Sequence, residues 1–345
     1  MSVSPGDISF YGSADMPTAD GTTTGGAVSF STQITFADMA TAGTVNYVSD
    51  SASDTAVVLT VTGLDGTGTT QTEAKTLTGV TAVAGAQSFA RLMSIVASGT
   101  SAVGNIAAFS ATAVVSGTAQ AGSANATGVT PALFKLAAGQ GASVTESQII
   151  HTTGGTGPNQ LARIIATTGY GTDVVAVDAN WATVPDATTT YTVNEGALLR
   201  KLPNQITTVR RPFYGIYANA AGGAAITFYE KIFVVNNNTA TALTSASIIK
   251  EVDPTGAAVL EFALCNALDD TATVVNRQTA PATGITAFST GAAPQTISVP
   301  SPGNLPSGAA PNAAGAQGIW LSSALAAGSA PGATSFTMRA SGQTS

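Results

Sequence analysis

The chain has 345 residues but only one cysteine, Cys265, and one histidine, His151. A single cysteine excludes a disulfide within the chain, and two such residues are too few to build a zinc site. A Cys–His catalytic pair would require these distant residues to meet, so we expect no nucleophile of that kind. Cys265 lies in the apolar stretch "VLEFALCNAL" and is predicted to be a small buried side chain, whereas His151 is predicted to be structural. A chain without disulfides is typical of a protein that folds in a reducing cytoplasm.

Charged residues are also scarce, at 9% of the chain against about 25% in typical globular proteins. The formal net charge is −7, so no overall positive field attracts nucleic acid, and we expect no nucleic-acid partner. One basic cluster, formed by Arg200, Lys201, Arg210 and Arg211, is interpreted as a linker or interface patch. Soluble monomers normally rely on surface charge to stay apart, so this composition favours a protein that functions in an assembly.

Long apolar runs and helical periodicity are missing as well. No window approaches the roughly 18 consecutive apolar residues of a membrane span, so none is predicted. The first residues, "MSVSPGDISFYGSADMP", have neither the basic nor the apolar region of a secretory signal, and we expect no signal peptide. Apolar residues do not recur at helical spacing over any long segment, which argues against a helical protein.

The chain instead contains many short runs of Val, Ile, Thr, Phe and Tyr, separated by Gly, Asn, Asp and Pro. This pattern is typical of an all-β protein. In "VVLTVT", alternation places Val57, Leu59 and Val61 on one face, and in "TEAKTLTG" it is predicted to place Glu73 and Lys75 on a solvent-facing side. We therefore predict an all-β fold with two or more antiparallel β-sandwich domains and long loops rich in Gly, Pro and Ala.

The stretch "GLDGTGTT" at residues 63–70 joins those two runs and has two alternative interpretations. Asp65-Gly66 and Thr67-Gly68 supply residues that accept positive φ, which is typical of a hairpin corner. A ligand loop would need a base, a metal-binding set or a helix N-terminus nearby, and the surrounding sequence offers none. A hairpin turn is therefore predicted.

Three regions of the chain differ in amino-acid composition and in the density of predicted strands. Residues 1–129 are predicted to form an N-terminal arm plus a β-sandwich domain, and residues 130–197 a small β module. Residues 198–345 are predicted to form a C-terminal β-sandwich domain with a long loop at 281–317, which contains one strand near Thr296 to Val299. Long loops in compact domains are usually functional or interfacial, so we expect the N-terminal segment and this loop to lie on neighbouring subunits.

Motifs that carry chemistry are not found in the sequence. No serine lies in a G-x-S-x-G context, so no nucleophile elbow is predicted. "TTGGTGPNQ" lacks the G-K-[ST] ending of a phosphate loop, and no predicted helix follows it. Asp65, the pair Asp269–Asp270, and Asp173 with Asp178 do not match a calcium loop and are interpreted as turn residues. We expect no catalytic, cofactor-binding or metal-binding residue, no cofactor and no enzymatic activity.

Tryptophan is rare, since Trp181 and Trp320 are the only two. Carbohydrate-binding proteins usually expose aromatic rings to the sugar. Trp320 lies in "GIWLSSALAAG", where it alternates like a strand residue, and it is predicted to be in the core. A carbohydrate-binding adhesin module that binds host glycans is therefore kept only as a less favoured alternative.

Several long stretches resemble structural proteins of tailed-bacteriophage virions. The first is "SDTAVVLTVTGLDGTGTTQTEAKTLTGVTAVAGAQSFARLMSIVASG", an apolar strand, a Gly/Asp turn, a Thr-rich return and a strand containing Phe. The second is "GPNQLARIIATTGYGTDVVAVDANWATVPDATTTYTV", which is similar to a module of phage head and fibre proteins. Its matching positions are Gly157, Gln160, Arg163, Ile165, Trp181, Pro185, Asp186 and Tyr191. "FYEKIFVVNNNTATALTSASI" and "GIWLSSALAAGSAPGATSFTMRASG" are similar to Ig-like sandwich halves of such proteins.

This resemblance implies Ig-like or jelly-roll-like sandwiches and a non-enzymatic role on the virion. It favours a capsid decoration (cement) protein that is made in the host bacterial cytoplasm and lies on the outer surface of the head. The implied partners are the major capsid protein and other copies of the chain, as a homotrimer, with no nucleic acid and no membrane. A head fibre, tail fibre or other tail-associated protein is the alternative. The candidate partner-contact residues are Phe10, Tyr11, Met16, Arg200, Lys201, Arg210, Arg211, Ile297, Val299 and Leu305.

Overall fold

The computed structural model is all-β, with 50% of residues in strands and 2% in helical turns. It describes residues 3–99, 103–127, 130–201, 205–214, 224–254, 259–308, 315–328 and 335–344. The prediction of an all-β fold with several sheets is confirmed, while the Ig-like or jelly-roll-like arrangement stays a prediction. The predicted loop 281–317 lies partly outside the described residues, because residues 309–314 do so.

The strands of the first half of the described chain are short and separated by turns. They are β1 (Ile8–Asp15), β2 (Thr24–Gln33), β3 (Val45–Ser49), β4 (Val57–Leu64), β5 (Thr70–Thr76), β6 (Val83–Ala84), β7 (Arg91–Gly99), β8 (Ile106–Ser110), β9 (Val115–Thr118), β10 (Ala132–Lys135), β11 (Ile149–Gly154) and β12 (Leu161–Ala166). Two 3-10 turns, Pro5–Asp7 and Gly141–Ser143, are the helical segments of the described part.

The second half contains the longest strands. They are β13 (Val174–Val177), β14 (Thr190–Asn194), β15 (Gly196–Leu199), β16 (Thr208–Arg210), β17 (Ile226–Asn236), β18 (Leu243–Val252), β19 (Val259–Leu268), β20 (Thr273–Val274), β21 (Gln295–Ser298), β22 (Gln317–Leu325) and β23 (Thr337–Thr344). Strand β21 confirms the strand predicted near Thr296 to Val299.

The chain forms two compact units, one built from residues 1–3, 8–32 and 212–345 and the other from residues 4–7 and 33–211. The first unit contains a sheet in the order β19–β22–β17–β1–β2, with β20 paired to β2, and a smaller sheet in the order β21–β18–β23. Strand β1 therefore lies inside its own sheet, so this part of the N-terminal segment pairs with β17. Trp320 and Cys265 are buried in this unit beside Val274, which confirms both predictions.

The second unit contains three groups of strands. Their orders are β16–β7–β4–β5, β15–β8–β3–β6 and β10–β13–β12–β11–β14–β9. The six-stranded sheet surrounds an aromatic core in which the Phe134 ring lies 5.4 Å from Trp181 and 4.9 Å from Tyr191. This sheet includes β9, which precedes residue 130, and the predicted boundaries at residues 129 and 197 stay a prediction.

The hairpin predicted at residues 63–70 is confirmed. Strands β4 and β5 are antiparallel neighbours, and the Asp65 carboxylate accepts the amide hydrogens of Thr67 (2.8 Å) and Thr69 (2.9 Å) across the turn. Gly68 has φ of +84°, a conformation that favours glycine, whereas Gly66 is not among the residues with positive φ. The carboxylate thus closes a turn of its own chain.

The orientation predicted for β5 is wrong. Val57, Leu59 and Val61 on β4 are buried as expected, but Glu73 on β5 also faces inward and is only 8% exposed. Its carboxylate accepts hydrogen bonds from the amides of Ala86 (2.7 Å) and Gln87 (3.3 Å), and the Lys75 ammonium lies 3.1 Å away. These backbone donors replace water around the carboxylate, which is why a charged residue occupies the inner face.

Candidate functional site

All twelve lysine and arginine residues lie in described segments, where six are buried, five are half-buried and one is exposed. Arg339 is the one exposed cation of the described part, and it lies 2.6 Å from Glu251. The buried cations are Arg200, Arg210, Arg211, Lys231, Lys250 and Arg277, and the half-buried ones are Lys75, Arg91, Lys135, Arg163 and Lys201. The exposed acids are Asp15, Asp20, Asp38, Glu146, Asp186 and Asp269. The described exterior is therefore sparsely charged and acidic.

Asp178 occupies the centre of one buried ion-pair cluster. Arg200 Nε donates to Asp178 Oδ2 at 2.8 Å and its second guanidinium nitrogen contacts Oδ1, while Arg163 Nε lies 3.5 Å from the same carboxylate. Burial raises the pKa of Asp178, but the charges of Arg200 and Arg163 outweigh it and hold that pKa below its ordinary value. Arg200 is thus committed to an internal pair.

Arg211 occupies a second cluster in the same unit. Its Nε donates to the backbone oxygen of Leu92 at 2.6 Å, its Nη2 contacts Asp38, and the guanidinium lies 4.6 Å from the centroid of Phe36. Burial lowers the pKa of Arg211 to about 10, although the Asp38 carboxylate acts in the opposite direction. Arg200 and Arg211, two members of the basic cluster that the sequence suggests as a patch, therefore bind groups inside the chain.

Lys231 is fully buried in the other unit and joins three backbone segments. Its Nζ donates to the carbonyl oxygens of Asp270 (2.9 Å), Gly26 (3.1 Å) and Ala272 (3.2 Å) and contacts the Asp270 carboxylate. The Trp320 ring centroid lies 5.7 Å from the ammonium. Such a set of acceptors satisfies a buried cation without water.

Cys265 lies beside this cluster, and its thiol is 3.6 Å from Asp270 Oδ1. Burial raises the pKa of the thiol to about 12, with the Lys231 charge acting against that rise. A reactive cysteine needs the opposite shift, because the thiolate is the nucleophile. Cys265 therefore has the environment of an inert core residue.

His151 is buried in β11, where its ring lies 5.8 Å from the Phe109 ring. Burial lowers its pKa, and its Nε2 has no hydrogen-bond partner among the described residues. Thr192 lies opposite His151 on β14, but Nε2 forms no hydrogen bond to a serine, threonine or cysteine of the described residues. This environment fits the structural role predicted for His151.

Two of the aspartates considered for calcium, Asp173 and Asp269, bind backbone amides of loops that are distant in sequence, so the prediction that they bond within their own turns is wrong. Asp173 accepts from Gly139 (2.9 Å) and Gly141 (2.7 Å), and Asp269 accepts from Gly315 (2.6 Å) and Ala316 (2.8 Å). In the described segments, no three His, Cys, Asp or Glu side chains are close enough to hold a metal ion. A depression of about 490 Å³ beside Asp173 is lined by small residues and threonines, with no aromatic ring.

The ten candidate partner-contact residues occupy two kinds of position. Tyr11, Arg200, Arg210, Arg211, Val299 and Leu305 are buried, whereas Phe10, Met16, Lys201 and Ile297 are half-buried. Burial within the chain commits the first group to intramolecular packing. A role of any of them in partner binding stays a prediction.

The free sheet edges form the surface that sequence reasoning missed. Most are short or covered: β9, β10, β15 and β21 have four residues each, and β19 is covered by bridges to Ile285 and Ser289. Strand β23 is longer but carries the exposed Arg339–Glu251 pair. Strand β5 has seven residues, is not covered by another described segment and carries no exposed ion pair along its outward residues. The sequence signal that could have indicated this edge is the alternation of Thr70, Thr72, Ala74 and Thr76.

No family model matches the chain, and no curated protein or solved structure matches it at a significant level. None of the helical segments in the described part has the length and apolar character needed to cross a membrane.

Proposed function

We propose that the protein is a non-enzymatic structural component of a bacteriophage virion that decorates the outer surface of the head and stabilises it by binding across neighbouring shell subunits. The observation that carries this proposal is the internal placement of the cations. Eleven of the twelve Lys and Arg residues are buried or half-buried, which leaves Arg339 as the exposed one. An exterior with few charged residues has less charge repulsion to keep it away from other protein surfaces than a typical soluble protein has.

The all-β architecture supports the same role. Several antiparallel sheets give a chain without disulfides many regular surfaces for neighbouring subunits, and binding across them adds stability by mass action. The proposed partners are the major capsid protein and further copies of the chain, assembled as a homotrimer. The virion resemblance of the sequence supplies the capsid as the partner.

The environments of the chemically reactive residues also support a role in binding. The Cys265 thiol has a raised pKa, and Nε2 of the buried His151 ring hydrogen bonds to no nucleophile in the described part. Trp181 and Trp320 are buried at 4% and 1% exposure, so neither offers a ring for stacking on a sugar. These observations disfavour an enzyme and a glycan-binding module.

Binding to phage heads tests the proposal directly. Purified full-length chain is mixed with expanded heads that lack it, and the heads are pelleted and analysed on gels. We expect saturable co-sedimentation and an increase in the temperature at which the heads open. Unexpanded heads, whose subunits are arranged differently, are the control. Failure to bind expanded heads would overturn the decoration role.

Copy number in whole virions separates decoration from the fibre alternative. A decoration protein covers a symmetric shell and is present on the order of hundreds of copies, whereas fibres and tail parts are present in a few to some dozens. Gel densitometry of purified virions against the major capsid protein measures this ratio. A value in the lower range would replace the decoration role with a head-fibre or tail role.

A further inference from the structure

The outer edge of β5 presents unpaired peptide groups to solvent. The bonds from Leu77 N to Val57 O (2.9 Å) and from Asp65 N to Thr69 O (2.9 Å) fix which residues of the β4–β5 ladder exchange hydrogen bonds. The odd-numbered residues of β5 bond to β4, because hydrogen-bonded pairs alternate along an antiparallel ladder. The peptide groups of the even-numbered residues Thr70, Thr72, Ala74 and Thr76 therefore point to the free edge.

Nothing in the described part of the chain covers this edge. No backbone hydrogen bond from outside the sheet reaches the four outward peptide groups, and their side chains are exposed. The residues that could cross over β5 instead engage its inner face. Ala86 and Gln87 donate to the Glu73 carboxylate, and Gln71 donates to the Ser88 carbonyl.

Two of the devices that protect many edge strands, a proline and a β-bulge, are missing from β5. It contains no proline, and its ladder with β4 runs from Val58–Thr76 to Leu64–Thr70 without a bulge. Its one lysine, Lys75, lies on the inner face and forms an ion pair with Glu73 at 3.1 Å. An edge of this length whose outward residues are uncharged can pair with another strand, either for function or in aggregation.

We propose that the β5 edge binds the β5 edge of a second copy of this chain, in antiparallel orientation about a two-fold axis opposite Glu73. In that register Thr70 pairs with Thr76 of the second copy and Thr72 pairs with its Ala74. Every outward peptide group of β5 then gains a partner. If the axis lay opposite Thr72 or Ala74 instead, one outward residue of each strand would have no partner in the β5 strand of the other copy.

A second copy suits this edge because the edge is nearly palindromic. Read in either direction from Glu73, the outward residues are small and uncharged, with threonine at both ends. Threonines on paired strands stabilise each other. On the inner face Glu73 lies opposite Glu73 of the second copy, and each carboxylate is compensated within its own chain by Lys75 at 3.1 Å and by the amides of Ala86 and Gln87. A two-fold contact also closes on itself and consumes both edges, whereas a head-to-tail contact would propagate into a fibre.

The inference does not depend on the virion role, since the edge is complementary to itself whatever the assembled copies do. It is also separate from any three-fold association. If the protomers form trimers by another surface, the β5 contact joins two trimers. In either case the contact doubles the mass of the particle that forms without it.

Sedimentation equilibrium of the full-length chain, across a wide concentration range, tests the pairing. Thr72→Pro removes an outward amide that bonds to nothing in the described chain, and Ala74→Lys places a charge on the edge. We expect the wild-type particle at saturation to have twice the mass of its dissociated form, and each substitution to raise the dissociation constant of this step about tenfold or more. Thr60→Lys, on the same face of neighbouring β4, is the control and should retain the wild-type mass.

Circular dichroism and the melting temperature establish that each variant is folded, and Ala74→Lys serves alone if Thr72→Pro does not fold. Equal masses for the wild type and a folded edge variant would overturn the proposal, including the case in which all are monomers. A loss of association in Thr60→Lys as large as in Ala74→Lys would also overturn it. Head binding measured with Ala74→Lys keeps the two proposals apart, because decoration can persist when the pairing is lost.

Discussion

At the scale of single residues, the protein places cations where most chains place apolar side chains. Arg200, Arg211 and Lys231 each meet a carboxylate, and the last two also have backbone and aromatic partners. Removing one member of such a group leaves an uncompensated buried charge, whereas an exposed ion pair contributes little. The sequence indicated that Cys265 and Trp320 are buried, because both lie in apolar runs. It could not indicate the buried cations, since their partners are distant in sequence.

Asp178→Asn tests this difference. The substitution leaves Arg163 and Arg200 buried without their counter-charge, and we expect a loss of about 3–5 kcal/mol in the free energy of unfolding. Glu251→Gln, which breaks the exposed pair with Arg339, is the matched control and should cost at most about 0.5 kcal/mol. Urea denaturation of both variants gives the comparison. Equal losses would show that the buried cluster contributes no more than a surface pair.

His151 gives the protein a defined pH dependence. Burial lowers the pKa of the folded imidazole below its ordinary value of 6.5, so the unfolded chain binds a proton first as the pH falls. The contribution to stability is complete above pH 6.5 and is lost as the pH falls from 6.5 to the lowered pKa, by up to about 1.4 kcal/mol per pH unit.

Urea denaturation at a series of pH values measures this contribution. His151→Phe has no titrating group at the position and should remove the slope below pH 6.5. Aspartates with lowered pKa values, such as Asp173, Asp178 and Asp186, titrate below 3.8 and do not interfere. A slope that is the same in the variant would assign the dependence to another group.

At the scale of elements, the sequence identified the β4–β5 hairpin but assigned the wrong face of β5 to solvent. The alternation of buried and less buried residues predicted for β4 is confirmed, with Val57, Leu59 and Val61 on the buried face. The inner residues of β5, Gln71 and Glu73, are polar, so hydropathy alone pointed the wrong way. Their orientation is set by amide donors at residues 86 and 87, which no local pattern reveals.

Two glycines of this hairpin should respond differently to alanine. Gly68 has φ of +84° with open space around the added methyl group, so Gly68→Ala should cost about 1 kcal/mol through backbone strain alone. At Gly63 the new Cβ would lie 2.3 Å from the Arg91 carbonyl oxygen and 2.7 Å from the Phe89 ring. The Arg91 carbonyl oxygen belongs to a paired strand and cannot move aside easily. We therefore expect Gly63→Ala to lower the free energy of unfolding by about 1–3 kcal/mol or more.

Thermal and urea unfolding of the two variants measure the difference. Gly66, at the same turn with open space and no positive φ, supplies the control, and Gly66→Ala should be close to neutral. If Gly63→Ala were as mild as Gly66→Ala, the close approach of β4 to residues 89–91 would not exist in solution.

At the scale of the whole molecule, composition predicted the all-β class and the scarcity of charge, but not where the few charges lie. The same 9% of charged residues could have been spread over the exterior. Instead six of the twelve cations are buried and five are half-buried, and the exposed charges are mainly acidic. Most of the ion pairs that hold the buried cations join residues distant in sequence, which composition does not reveal. This distribution of charge is the basis for proposing that much of the protein surface is covered by neighbouring subunits.

Chemical labelling of amines tests that distribution across the whole chain. Lys231 and Lys250 are buried at 0% and 1% side-chain exposure, whereas Lys75, Lys135 and Lys201 are half-buried. Brief treatment of the native protein with an acylating reagent should therefore modify the last three lysines and spare the first two. In denaturant, all five should react. Peptide mass spectrometry resolves each site, with the denatured sample as the control for intrinsic reactivity. Rapid native labelling of Lys231 or Lys250 would mean that these ammonium groups reach solvent, and the argument from an exterior depleted of cations would fail with them.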